Sequence, residues 1–268
     1  MPAAKPVIRI KPGRYILAVS GGVDSVVLLD LLADLPGLKL TVAHFDHGIR
    51  TDSKNDRIFV QSLAAAHNLP FVYDRAELGP GASEALARQA RYQFLHKVRQ
   101  LAEAQAVITA HHADDRLETA IINILRGTGR RGLSSLKSGA LIVRPLLHTD
   151  KKQLVAYARD QNLRWHEDST NQDDSYLRNY VRHNLLSRFT ETERLQLTDY
   201  IKTASGLNRS ADQQLVNWLH LQPVAGQLDR GWFISLPHAV AKELLASWLR
   251  ANDISYDRPA LERLAIAA

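Results

Sequence analysis

Tyr15-Ile16-Leu17-Ala18-Val19 runs without a break into Ser20-Gly21-Gly22-Val23-Asp24-Ser25 and on into Val26-Val27-Leu28-Leu29-Asp30-Leu31-Leu32. The first stretch is a short apolar run of strand character, the second a glycine turn, and the third the start of an apolar helix. Gly21 and Gly22 carry no Cβ, so the backbone there can approach a bound group closely. The N–H groups and positive end of the following helix face the same point. Ser20 and Ser25 add hydroxyls. The six residues Ser20, Gly21, Gly22, Val23, Asp24 and Ser25 therefore form a candidate phosphate cradle, although a bare Gly-Gly turn with a capping Ser or Asp also joins strands to helices that bind nothing.

The turn does not match G-x-x-x-x-G-K-[ST], because it lacks the lysine of that loop. An aspartate stands inside it instead. A carboxylate beside phosphates is repulsive unless a divalent cation bridges them, which makes Asp24 a candidate magnesium-directing and catalytic residue.

Further apolar, β-branched runs lie at 38–45, 70–73, 106–110 and 140–143, with helix-length amphipathic segments between most of them. This alternation predicts an α/β fold: a Rossmann-like parallel sheet with helices on both faces, whose ligands sit where the carboxyl ends of the strands open into loops. Beyond Leu185 the strand signals thin out. Segments 191–221 and 238–252 predict helices joined through a turn-rich stretch around Pro223, Gly226 and Gly231, and the closing residues 261–268 carry no capping signal. The expected organisation is a catalytic domain over 1–188 and a smaller, mostly helical domain over 189–268.

The composition, 45% hydrophobic and 23% charged, is that of a folded globular chain. With neither an apolar signal region at the start nor an apolar run near the roughly 20 residues of a membrane span, the expected location is cytoplasmic, away from membranes. The chain has no cysteine, which excludes disulfides, thiolate metal sites and any route passing sulfur through a protein persulfide. Residues 1–190 hold 26 Lys+Arg against 19 Asp+Glu, and residues 191–268 hold 8 against 9. The basic excess of the larger part fits a polyanionic partner such as nucleic acid, and equally a merely basic protein.

The hexapeptide Ser20 to Ser25 resembles the signature of the N-type ATP pyrophosphatases, or PP-loop enzymes, which cleave ATP between the α and β phosphates. More segments narrow the resemblance. They are Ala43 to Arg50, Ala90 to Leu95, His111-His112-Ala113-Asp114-Asp115-Arg116-Leu117-Glu118-Thr119, Arg126-Gly127-Thr128-Gly129, Trp165 to Asn171, and Tyr176 to His183. Together, over roughly residues 14–190, the chain resembles the tRNA(Ile)-lysidine synthetases. Arg116 departs from the family's usual glutamine, and Ser134-Ser135 stands near a usual glycine. Many members also carry an additional C-terminal domain for tRNA without counterpart in these 268 residues.

The resemblance implies an adenine nucleotide α-hydrolase-like fold and a ligase that uses ATP and Mg2+. The wobble cytidine of the CAU anticodon of tRNA(Ile) would attack the α-phosphate through its carbonyl oxygen and expel pyrophosphate. L-lysine would then attack carbon 2 and expel AMP. A homodimer is compatible with this reading.

Asp115 and Glu118, at i and i+3 on the helix after the fourth strand, put two carboxylates on one face. With His111 they are candidates for binding the cytidine and the lysine. Acidic residues in a first helical turn also serve as dipole compensation, which covers Asp114, Asp115 and Glu118. His111, Asp115 and Glu118 could alternatively hold a metal. His44, His47 and Arg91 are candidate nucleotide contacts, while each histidine taken alone reads as a packed or exposed one. Arg126, Arg130, Arg131 and Lys137 lie on a glycine-rich segment suited to a phosphate backbone, and Arg178 and Arg182 add a second basic face, unless these two pair with Asp173 or Asp174.

Three rivals remain. A tRNA-thiolating relative is disfavoured by the absence of cysteine. A small-molecule amide-forming synthetase has no evident use for the basic segment, and a noncatalytic RNA-binding module has none for Asp24.

Overall fold

The first strand, β1 (Gly13–Ala18), is apolar on both faces because both are covered. Tyr15 and Leu17 point to one side and Ile16 to the other, with Ile16 and Leu17 fully buried. The computed structural model describes residues 4–48, 53–79, 82–134, 136–167, 177–222 and 227–267. Ile49, Arg50, Ser135, the motif residues Asp168 to Asn171, Asp173, Asp174, Tyr176, and the turn residues Pro223 and Gly226 lie outside them.

On the Leu17 side, β1 packs with Leu40 and Val42 of β2 (Leu38–Asp46) and Ala106 and Ile108 of β4 (Ala106–Ile108). The helices α1 (Val23–Ala33), α2 (Ser53–Ala66) and α5 (Lys151–Asp160) cover this side. On the Ile16 side, Ala43 and Val107 meet Phe94, Leu95 and Val98 of α3 (Glu84–Leu101). Alternate residues of each strand thus feed opposite faces, as the two-residue repeat of a strand requires. α1 is buried on most of its surface, with Leu28 and Leu32 inaccessible, so its sequence is apolar almost all round.

All the strand pairs are parallel, in the order β3-β2-β1-β4-β5, with β3 at Phe71–Arg75 and β5 at Ile142–Val143. The chain lays β2 and β3 to one side of β1 and then returns to the other side with β4 and β5. The switch point therefore lies between β1 and β4, where open α/β sheets bind ligands. The glycine turn follows β1 there, and α4 (Ala113–Leu125) follows β4.

The chain divides into two compact units, Met1–Thr198 and Asp199–Ala268. Beyond α6 (Leu177–Tyr180), the 30-residue helix α7 (Glu191–His220) runs through that division, its first turn supplying Arg194 to the first unit. The second unit has its own core of Leu215, Phe233, Leu244, Leu245 and Leu249. Beside the two expected helices, α7 and α9 (His238–Ala251), its described residues contain two more. Short α8 (Arg230–Ile234) is started by the Asp229 side chain, which accepts from Trp232 N–H at 2.7 Å, and α10 (Arg258–Ala267) by Asp257, which accepts from Ala260 N–H at 2.6 Å. Gly231 thus belongs to a helix and not to a turn. Among the described residues no helix is long and apolar enough to cross a membrane.

Candidate active site

The turn after β1 is closed by its own serines. Ser25 Oγ accepts from the backbone N–H groups of Ser20 and Gly21, both at 3.2 Å, and donates to the Gly22 carbonyl at 2.9 Å. Ser25 is 5% exposed, so it organises the turn from inside, whereas Ser20 lies on the outside. Gly21 has φ +99°, a conformation that needs glycine. Its carbonyl accepts from His166 N–H at 3.0 Å. The His166 ring stacks on Phe59 and pairs through Nδ1 with Asp56 at 2.7 Å, tying α2 to the turn. Gly22 is the extended N-cap of α1, whose first turn presents N–H groups without helical acceptors.

Three helices, α1, α4 and α5, start at this place, and their first turns are joined by one charged cluster. Lys151, the first residue of α5, sets its Nζ 2.6 and 2.7 Å from the two oxygens of Asp24. Its backbone N–H donates to Asp114 at 3.0 Å. The buried His112, N-cap of α4, has Nε2 3.6 Å from Asp24 and 3.5 Å from Asp115, and Nδ1 3.6 Å from Asp114. His112 N–H donates to Asp115 at 2.9 Å, and Arg194 meets Asp114 at 3.0 Å.

Burial opposes charge on His112, but the carboxylates of Asp114, Asp24 and Asp115 outweigh it and push its pKa up to about 10. His112 is thus an imidazolium at neutral pH. It holds Asp114 down to about 2, against the effect of burial. Asp24 is also lowered, since His112 and Lys151 together overcome its desolvation.

A pKa raised on folding stabilises the protein fully below the unfolded value near 6.5, and that contribution is lost as pH rises toward about 10. Unfolding by denaturant at pH 6.5 and pH 10 is expected to show a larger loss of stability for the native chain than for His112→Asn. Equal losses in both proteins would contradict the imidazolium.

The neighbouring His111 is the opposite case. Burial drives its pKa down to about 3, with Arg144, Arg91 and Arg88 adding to the effect and Asp115 opposing it, so the ring is neutral. Its Nδ1 lies 2.8 Å from Thr109 Oγ1, which leaves Nε2 as the atom able to address a ligand. Arg91 and Arg88 lie over the Tyr92 ring at 5.4 and 4.9 Å.

Glu118 is 1% exposed. Arg182 grips it with Nε at 2.6 Å and Nη2 at 3.1 Å, and Arg178 Nε stands 3.8 Å away. Burial pushes the Glu118 carboxyl up and Arg182 opposes that, while the same contact raises Arg182 against its own desolvation. The two-pronged geometry is that of an ionised pair. Arg178 also donates to Thr119 at 3.4 Å. Both arginines therefore face α4 here.

His44 is buried, lowered by desolvation, and bonded through Nδ1 to the Val19 carbonyl at 2.8 Å, so it joins the ends of β1 and β2. His47 packs edge-on against Phe45. Of the basic segment, Arg126 and Lys137 are exposed and Arg130 and Arg131 half-buried.

The structure brings Asp24, Asp115 and His112 into one cluster. Sequence reasoning missed Lys151 and Arg194 as members of it. A signal existed for Lys151: it follows the Asp150 N-cap just after the fifth strand, at the end of the sheet where ligands bind.

A sequence profile described as the PP-loop domain matches residues 3–189. The tRNA(Ile)-lysidine synthase of Solibacter usitatus is 40% identical over 176 residues, covering 65% of this chain and 40% of that protein. The tRNA(Ile)-lysidine synthase of Histophilus somni strain 2336 is 33% identical over 254 residues, covering 88% and 58%. Among solved structures, the U34-tRNA thiolase NcsA from Methanococcus maripaludis with its [4Fe-4S] cluster aligns with a TM-score of 0.58 at 13% identity, covering 74% of each chain, a likeness of fold alone. The chain spans about two fifths to three fifths of the length of these two curated relatives.

Proposed function

The chain belongs to the PP-loop family, and from that premise we propose that it ligates lysine to carbon 2 of the wobble cytidine of a CAU-anticodon tRNA(Ile), at the expense of ATP. The observation that carries this reading is the meeting of Asp24, on the phosphate turn, with Asp115, on the helix after β4, at the single buried ring of His112. A nucleotide on the turn and a base held at α4 would then be neighbours, as adenylation of a base requires.

In the first step the cytidine O2 forms a bond to the α-phosphorus, and the bond to the bridging oxygen breaks, releasing pyrophosphate. In the second the lysine nitrogen bonds to carbon 2, the C–O bond breaks with AMP as leaving group, and the amine gives up a proton. The starts of α1, α4 and α5 direct partial positive charge at the phosphates.

His111, neutral and bonded to Thr109, orients a ligand through Nε2; with a pKa of about 3 it does not take the amine's proton at neutral pH. Asp115, the more exposed of the acidic pair at 13% against 1% for the Glu118 side chain, docks the ammonium, while Glu118 acts through Arg182. His44, His47 and Arg91 stand as surroundings of the nucleotide. Arg126, Arg130, Arg131 and Lys137, with Arg178 and Arg182 at the edge of the site, stand as contacts of the anticodon arm.

Magnesium is commonly held by one or two carboxylates together with substrate phosphates. Among the described residues no cluster of three or more His, Asp or Glu forms a cage for a metal. Asp24, at the first turn beside the cradle, fits the phosphate-chelated mode and would be the protein ligand. When bound, the ion would supply charge neutralisation at the phosphates.

The test is to incubate the protein with ATP, magnesium, labelled lysine and CAU tRNA(Ile), digest the RNA and search for a lysine-bearing nucleoside. Label is expected to depend on every component. Its absence with folded protein and intact tRNA would remove the proposal.

A further inference from the structure

The phosphate turn has no basic residue between Ser20 and Ser25, yet a triphosphate carries several negative charges. The structure supplies a lysine to the turn from 127 residues away in sequence. We propose that Lys151 is the mobile cation of the phosphate site: it rests on Asp24 while the site is empty and moves onto the departing pyrophosphate half of ATP when the nucleotide binds. This rests on the reading of the site as an ATP site.

The other cations of the cluster are committed elsewhere. His112 is buried among three carboxylates, and Arg194 divides itself between Asp114 and the Leu186 carbonyl. Lys151 differs. Its backbone is fixed by the bond to Asp114 and by the Asp150 cap, but its side chain is 41% exposed on a flexible four-carbon stem. Asp24 is the partner of its Nζ in the described structure.

When a polyphosphate enters, the ammonium meets more negative charge there than on one carboxylate. Its departure would leave the Asp24 carboxylate open to a divalent ion brought with the phosphates. Lys151 thus takes up the work of a loop lysine without being part of the loop.

The experiment measures binding by calorimetry, with magnesium, of α,β-methylene ATP, pyrophosphate and AMP to the native chain, Lys151→Met and Lys151→Arg. Expected is about 10- to 100-fold weaker binding of the ATP analogue and of pyrophosphate to Lys151→Met. AMP binding should be unchanged, and Lys151→Arg should recover most of the loss.

If Lys151→Met folds poorly, acylation of Lys151 in the native chain, followed by mass spectrometry, reads the same point: the ATP analogue and pyrophosphate should protect it and AMP should not. Unaltered analogue binding, an equal loss for analogue and AMP, or equal protection by all three overturns the role of Lys151. A native chain that binds no nucleotide overturns the ATP site itself, and this inference with it.

Discussion

Asp24→Ala is expected to lower ATP-dependent pyrophosphate release by about 10²- to 10³-fold, the order of loss that follows removal of one preorganised group stabilising transition-state charge. Affinity for tRNA should stay as it is, because no basic residue is lost. The substitution removes the carboxylate that holds Lys151 and that, on the proposed reading, would direct the divalent ion, so the loss should fall on kcat. The fold should tolerate the change, since His112 keeps Asp114 and Asp115 beside it. A pyrophosphate assay and a tRNA filter-binding assay decide the matter. A release rate within threefold of the native chain would show Asp24 to be no more than a helix-end charge.

Arg182→Ala carries the largest expected effect on stability. It strands the carboxylate of Glu118, and removing one partner of a buried ion pair costs about 3–5 kcal/mol. Arg178, 3.8 Å from the same carboxylate, remains, which places the expected loss near the lower end, about 3 kcal/mol. Glu118→Gln combined with Arg182→Ala should recover part of that loss, because the stranded charge is gone. Denaturant unfolding of the single and double variants makes the comparison. A single variant as stable as the native chain would mean that Arg182 has no structural part and is held for RNA alone.

The strands could be read in advance because residues such as Ile16, Leu17 and Val107 are buried from both sides, and such burial leaves an unbroken apolar run in the sequence. The turn could be read because Gly21 takes a backbone angle that side chains disfavour. Short helices escaped notice where a local breaker hid them: Gly231 within α8, and Pro259 in the first turn of α10, where proline is tolerated.

The site was readable only one chain segment at a time. Asp24, Asp115 and Glu118 stand out beside their own motifs, whereas the place of Lys151 behind a strand end and an N-cap points to the site without naming a partner so far off in sequence. His111 and His112 look alike as a pair of letters, and only the surroundings separate them. Three carboxylates make one a cation, and burial beside arginines leaves the other neutral. Arg182 reads from its spacing as part of a basic face, and its grip on a carboxylate as deep as Glu118 shows only in the fold.

The self-bonded turn around Ser25 has a consequence for how ligands arrive. Its conformation is set before any encounter, so capture of a nucleotide loses little affinity to loop freezing. The turn's own backbone then needs no rearrangement on capture, and a surface side chain such as Lys151 reorients within nanoseconds. Reloading after each turnover should therefore be limited by diffusion and by departure of the previous products rather than by any rebuilding of the cradle.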